Sequence, residues 1–168
     1  MSNYFIDTYN NHTIYIKRLE IFTMCEFNKK ELALIAITCY DFATKYCDAT
    51  KLRIESQDAL ATFGDTVLKM ILAEHLLIEE KCNDSGKLTI LKSDLENNKV
   101  LNKIGIDQNM KDFLLYNDRE LDGNKKYATS LEAIIGAIYL SNGIEDTKRF
   151  VSEYILSHLD ELISSTVK

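Results

Sequence analysis

Two carboxylates lie where an uncompensated charge is costly. Asp65 sits in the middle of residues 56–81, SQDALATFGDTVLKMILAEHLLIEEK. There Leu60, Phe63, Val67, Leu68, Met70, Ile71, Leu72 and Leu76 fall on nearly every side of a helical wheel, which predicts a central helix. Asp58, seven residues earlier, returns to almost the same azimuth. Glu132 is the only charged residue between Leu131 and Asn142 in a second apolar run, 127–140, and Gly136-Ala137 one turn on lets another backbone come close. A carboxylate in such surroundings needs a cation, hydrogen bonds, a metal or a retained proton, because burying it unpaired costs several kcal/mol or more. Hard oxygen donors on two rigid helices suit a divalent cation. The competing interpretation, of equal weight on the residues alone, pairs Asp65 with Lys69 one turn later and Glu132 with a lysine such as Lys126, as structural ion pairs.

The elements that would hold these acids follow from composition and punctuation. A chain of 168 residues fits one domain, and 46% hydrophobic with 27% charged residues is ordinary for a globular protein. With no proline and six glycines, frequent tight turns are excluded and an all-α fold of helices joined by short polar loops is expected. Residues 1–15 carry no clear periodicity and are expected as an N-terminal arm, with a strand or partial disorder as alternatives, and the domain over 16–168. Helical spacing covers 16–24. A break at 26–30 is followed by Asn28 as an N-cap, with Glu31 completing a capping box, and by a helix to about Cys47. Residues 48–55 connect to the central helix. A turn at 83–86 precedes a helix striped with Leu88, Leu91 and Leu95. Asn97-Asn98 breaks the chain before KVLNKIGI, and DQNMKDFLLY is a further short helical segment. A charged loop spans 117–126, the second acid-bearing helix ends at Ser141-Asn142-Gly143, and a last amphipathic helix runs over 144–163.

The net charge of −6 means that any nucleic-acid role rests on local features. Cys25, Cys39, Cys47 and Cys82 lack Cys-x-x-Cys spacing and His12, His75 and His158 are scattered, so neither a zinc site nor a disulfide framework is indicated. Cys39 is expected in the core. No apolar run approaches membrane-spanning length and no signal-peptide layout is present, so a cytoplasmic protein without membrane attachment is expected.

FGDTVL at 63–68 and SLEAIIGAIYLSNG at 130–143 together resemble the two signature helices of the ribonuclease III domain. EFNKKELALIAITCYDF resembles that family's first helix region, and SGKLTILKSDLENNKVLNKIGI resembles the helices between the signatures. The resemblance covers roughly residues 16–160 and implies an all-helical domain, usually a homodimer, that binds Mg²⁺ and cuts double-stranded RNA. It assigns Asp65 and Glu132 as metal ligands and catalytic residues. Asp58 keeps another acid of the family's pattern, whereas Ala61, Thr129 and Ser85 stand where acids are usual. ALATFGDTV and KKYATSLEAIIGAIYL also resemble the short Mini-III branch, which lacks a double-stranded-RNA-binding domain, and the chain's end soon after its last helix gives the same expectation here. The segment between the signatures resembles the standard enzymes, so both branches stay open.

The implied reaction is metal-assisted phosphodiester hydrolysis at Mg²⁺, with Mn²⁺ as a substitute, water filling vacant coordination positions and Asp58 orienting one such water. Double-stranded or structured RNA would contact Lys51, Arg53, Lys87, Lys92, Lys125 and Lys126, each in a connector or on a polar helix face. Two alternatives start from the missing acids: a catalytically impaired domain that binds RNA or a protein partner, and a regulator that pairs with an active homologue.

Overall fold

The computed structural model describes residues 2–117 and 126–159. In chain order its α-helices are α1 (Ser2–Asn10), α2 (His12–Thr23), α3 (Lys30–Ile37), α4 (Tyr40–Thr50), α5 (Asp58–Ile78), α6 (Ser85–Leu95), α7 (Asn98–Asp107), α8 (Lys126–Asn142) and α9 (Ile144–Tyr154). Single 3₁₀ turns add Met110–Asp112 and Leu156–His158. Among the described residues the only β pairing is an isolated parallel bridge between Thr38 and Leu115, and no helix is long and apolar enough to cross a membrane. The fold is all-α, as composition required.

The two apolar helices pack on each other and the rest surround them. In α8, Leu131 and Ala133 through Ile138 are all buried, leaving Glu132 as a partly exposed interruption. In α5 the buried set is Leu60, Ala61, Gly64, Val67, Leu68, Ile71, Leu72 and Leu76. Met70, Leu77 and Ile78 remain exposed, so one face of α5 is open rather than enclosed on every side. Asp84 caps α6, its carboxylate accepting the Lys87 amide at 2.6 Å, and Asn97 caps α7 by accepting the Lys99 amide at 2.8 Å. Leu91 and Leu95 bury the expected stripe, and Leu88 is partly buried against the core. At the end of α8, Gly143 has a φ of +93°, the left-handed region where a Cβ is disfavoured.

Several stretches differ from the sequence-based expectation. The helix expected through Cys47 is broken into α3 and α4 because Thr38 and Cys39 are extended. The Leu115 amide donates to the Ile37 carbonyl at 2.8 Å and the Cys39 amide donates to the Leu115 carbonyl at 2.9 Å, so a strand-like tie outcompetes continued helix. Asn28 is not the N-cap. Lys29 takes that place, and the Asn28 side chain instead donates to the Ser141 carbonyl at 3.3 Å. DQNMKDFLLY forms only the 3₁₀ turn before Phe113, Leu114 and Leu115 enter the core. Residues 2–10, and the start of α2, are helical. Phe5 meets Phe42 edge-on with centroids 5.4 Å apart, and Tyr9 meets Tyr46 at 4.7 Å, which lays α1 against α4.

Candidate functional site

The acids are brought together by glycine. A Cβ built on Gly64 would lie 1.8 Å from the Glu132 carbonyl oxygen, and one on Gly136 would lie 2.6 Å from the Leu60 carbonyl oxygen. The α5 and α8 backbones therefore touch where they cross, closer than any side chain permits. Asp65 follows Gly64 directly, so Glu132 and Asp65 are neighbours across this contact. A buried polar chain supports the crossing: the Ser130 hydroxyl donates to Gln57 Oε1 at 2.9 Å, and Gln57 Nε2 reaches Cys39 Sγ at 3.6 Å. All three residues are buried. Burial, reinforced by the Asp41 charge, pushes the Cys39 thiol up to about 12, so it serves here as a neutral core group.

The electrostatics of the two acids are unequal. Asp65, its side chain 34% exposed, accepts a 2.7 Å ion pair from Lys69 Nζ. This is the structural pair that residue spacing allowed. Lys126 does not pair with Glu132 as that reading had it; its ammonium lies 3.6 Å from Asp41 Oδ2. Glu132 is pushed up to about 7, first by burial and then by the negative charges of Asp65 and Glu96, with Lys69 opposing the rise. A carboxylate that holds its proton this far above the ordinary range lacks sufficient positive charge around it.

Asp58 is not part of this cluster. The seven-residue step places it roughly 10 Å along the α5 axis from Asp65, where its exposed carboxylate accepts the Ser56 hydroxyl at 2.6 Å. Ala61 is buried in the core and Thr129 is partly buried. Sequence reasoning missed Glu96. It stands just beyond α6, its side chain 18% exposed and held by Lys92 Nζ at 3.0 Å, and its charge reaches both Glu132 and Lys69. Its place beside the buried Leu95 was the one available signal.

Among the described residues no group of three or more His, Cys, Asp or Glu side chains is close enough to hold a metal ion by itself. The expected pair, Asp65 and Glu132, would therefore be the whole of the protein's contribution to an ion here. Two hard oxygen donors, one of them short of positive charge, fit a hydrated divalent ion that keeps most of its waters and do not form a closed cage. Of the basic candidates, Arg53 and Lys87 are exposed, and so is Lys51, whose ammonium donates to the Asp48 carbonyl at 3.0 Å. Lys92 and Lys126 are engaged with Glu96 and Asp41, and Lys125 lies outside the described residues.

Residues 29–159 match the family described as ribonuclease-III-like. Ribonuclease 3 of Clostridium beijerinckii is 30% identical over 146 residues, covering 84% of this chain and 59% of that protein. Ribonuclease 3 of Campylobacter jejuni is 30% identical over 152 residues, covering 88% and 64% respectively. The chain thus spans about three fifths of the length of these curated relatives. Among solved structures, the nuclease domain of ribonuclease III from Campylobacter jejuni superposes with a TM-score of 0.71 at 30% identity, covering 84% of this chain and 96% of that one. That structure concerns flexibility in the region involved in its dimer formation.

Proposed function

The chain belongs to the ribonuclease-III-like family, and from that premise we propose that it is a metal-dependent endoribonuclease hydrolysing phosphodiester bonds of double-stranded or structured RNA. The observation that carries this reading is the pairing of Asp65 with Glu132 at a backbone contact between two rigid helices. Both residues would hold Mg²⁺ or Mn²⁺ through their carboxylate oxygens. Bound there, the ion would polarise the scissile phosphate and make an attacking hydroxide available near neutral pH. The protein's own contribution is geometric: Gly64 and Gly136 set the distance between the acids, and Gln57 with Ser130 sets the helix register. RNA would be contacted by the exposed Lys51, Arg53 and Lys87. Its backbone charge, read through helix shape, would supply the affinity.

We further propose a homodimer that covers the open face of α5, where Met70, Leu77 and Ile78 are exposed. Ala61 and Thr129, standing where the family's pattern usually has acids, favour a second reading as an RNA-binding or protein-interaction module without cleavage. Incubation with long double-stranded RNA and Mg²⁺ or Mn²⁺ separates the two. Cleavage that is lost in Asp65→Asn and in Glu132→Gln is the expected result. A folded, dimeric protein that cuts nothing at any metal concentration would reject the nuclease reading and leave the module.

A further inference from the structure

The start of α8 is held by side chains from other helices. The Ala128 amide, buried in the first turn of α8, donates to Asn102 Oδ1 on α7 at 2.9 Å. The first four amides of a helix have no carbonyl within it to meet. At α6 and α7 such an amide is met locally, by Asp84 and Asn97, but at α8 the acceptor lies 26 residues back along the chain. Three residues beyond Asn102, Gly105 faces Tyr127, and a Cβ added there would collide with Tyr127 Cβ. Residues three apart share a helix face, so α7 turns one edge, Asn102 and Gly105, onto the first turn of α8. Asp41 of α4 adds another tie. Its carboxylate lies 3.6 Å from the Lys126 ammonium and accepts the Asn117 amide at 2.9 Å, offsetting a positive charge at the helix end where cations are disfavoured.

Glu132 hangs from this turn. In an α-helix its amide bonds to the carbonyl four residues earlier, which is that of Ala128. Its own carbonyl lies where α5 comes closest, against Gly64. Loss of the Asn102 acceptor would leave the buried Ala128 donor unmet, a cost relieved only by opening the turn to water. The segment between the α7 contact and the Gly64 contact would then no longer be fixed at both ends.

We propose that Asn102 is a positioning residue for Glu132: capping α8 in trans from α7, it fixes the turn from which Glu132 is held against Gly64 and beside Asp65. As a statement about catalysis this rests on the reading of Glu132 as a site residue.

The test compares the native full chain with Asn102→Ala, Asn102→Asp and Tyr154→Phe. Asp at position 102 keeps an acceptor for the Ala128 amide. Tyr154→Phe removes a different hydrogen bond, to the Phe22 carbonyl at 2.7 Å, and so matches the loss of stability without touching α8. In cleavage of long double-stranded RNA with Mn²⁺, at a temperature where all four proteins are folded, Asn102→Ala should lose about tenfold in kcat with KM unchanged. Asn102→Asp and Tyr154→Phe should keep the native kcat. Amide hydrogen exchange without metal gives a readout independent of activity: Ala128 to Glu132 should exchange about fivefold faster in Asn102→Ala, and as in the native chain in the other two variants. Unchanged exchange over those residues in Asn102→Ala, or faster exchange with kcat intact, would overturn the positioning role. A native chain that cleaves no RNA would overturn the nuclease reading instead, and the exchange result alone then decides whether Asn102 fixes Glu132.

Discussion

Replacing Glu132 by Gln should stabilise the metal-free protein at alkaline pH and leave it unchanged in acid. An unfolded Glu ionises near its ordinary 4.5, whereas in the folded protein Glu132 keeps its proton to about 7, through burial first and the Asp65 charge second. Below 4.5 both states are protonated and the residue contributes nothing to pH dependence. Between 4.5 and about 7 the folded state binds the extra proton, so stability falls as pH rises, and above 7 the full loss remains. At 1.36 kcal/mol per pH unit the interval corresponds to about 3 kcal/mol. The carboxyl is about half exposed, and solvent screening reduces this to about 1.5 kcal/mol. For a chain of this length that is a melting-temperature gain of about 3–6 °C for Glu132→Gln at pH 8. Thermal unfolding with chelator present, at pH 4.5 and pH 8, measures it. A Glu132→Gln protein no more stable than the native one at pH 8 would refute the claim that the Glu132 carboxylate is strained by its surroundings. Added Mn²⁺ should invert the order at pH 8, since only the native pair offers the ion two carboxylates.

Gly64→Ala should destabilise by at least about 3 kcal/mol in urea unfolding, because its Cβ would meet the Glu132 backbone, which no rotamer change can move; a midpoint close to native would show that the helices separate easily. Ser130→Ala removes the donor to buried Gln57 Oε1 and should cost about 1–3 kcal/mol in the same assay, whereas an unchanged midpoint would remove the polar chain from the account of helix register. Cys39, buried and held protonated to about 12, should resist iodoacetamide at pH 8 while the partly exposed Cys47 reacts. Peptide mapping that finds the two equally modified would contradict that burial.

How much was legible beforehand differs from element to element. The helices of the site were readable because their evidence is local: the apolar sides of α5, the near-continuous apolar run of α8 and the Gly-Asp and Gly-Ala pairs all lie within single segments. Asn97 and the Asn83–Gly86 turn marked the α6 and α7 boundaries for the same reason, since caps act within a few residues. The break at Thr38 and Cys39 was not readable, because it is made by Leu115, far along the chain. Asn28 likewise follows a distant partner, Ser141, over its local capping role. The first helix hides its signal because it spans only nine residues, so Phe5 and Tyr9, one turn apart, make too short a stripe to read without the distant α4 they pack on.

For the site, residue type and segment alone determined that Asp65 and Glu132 would be charges on apolar helices, and so that each needed compensation. Which group compensates which was decided only in three dimensions. Lys69 remained with Asp65, an exchange within one turn, but Lys126 went to Asp41, and Glu132 was left with Asp65 and Glu96 as like-charged neighbours. Coulomb interactions depend on distance in space and on the water between the charges, not on separation along the chain. The chain alone therefore determined that two buried-helix acids existed, and the crossing of α5 with α8 at Gly64 and Gly136 decided that they share one site.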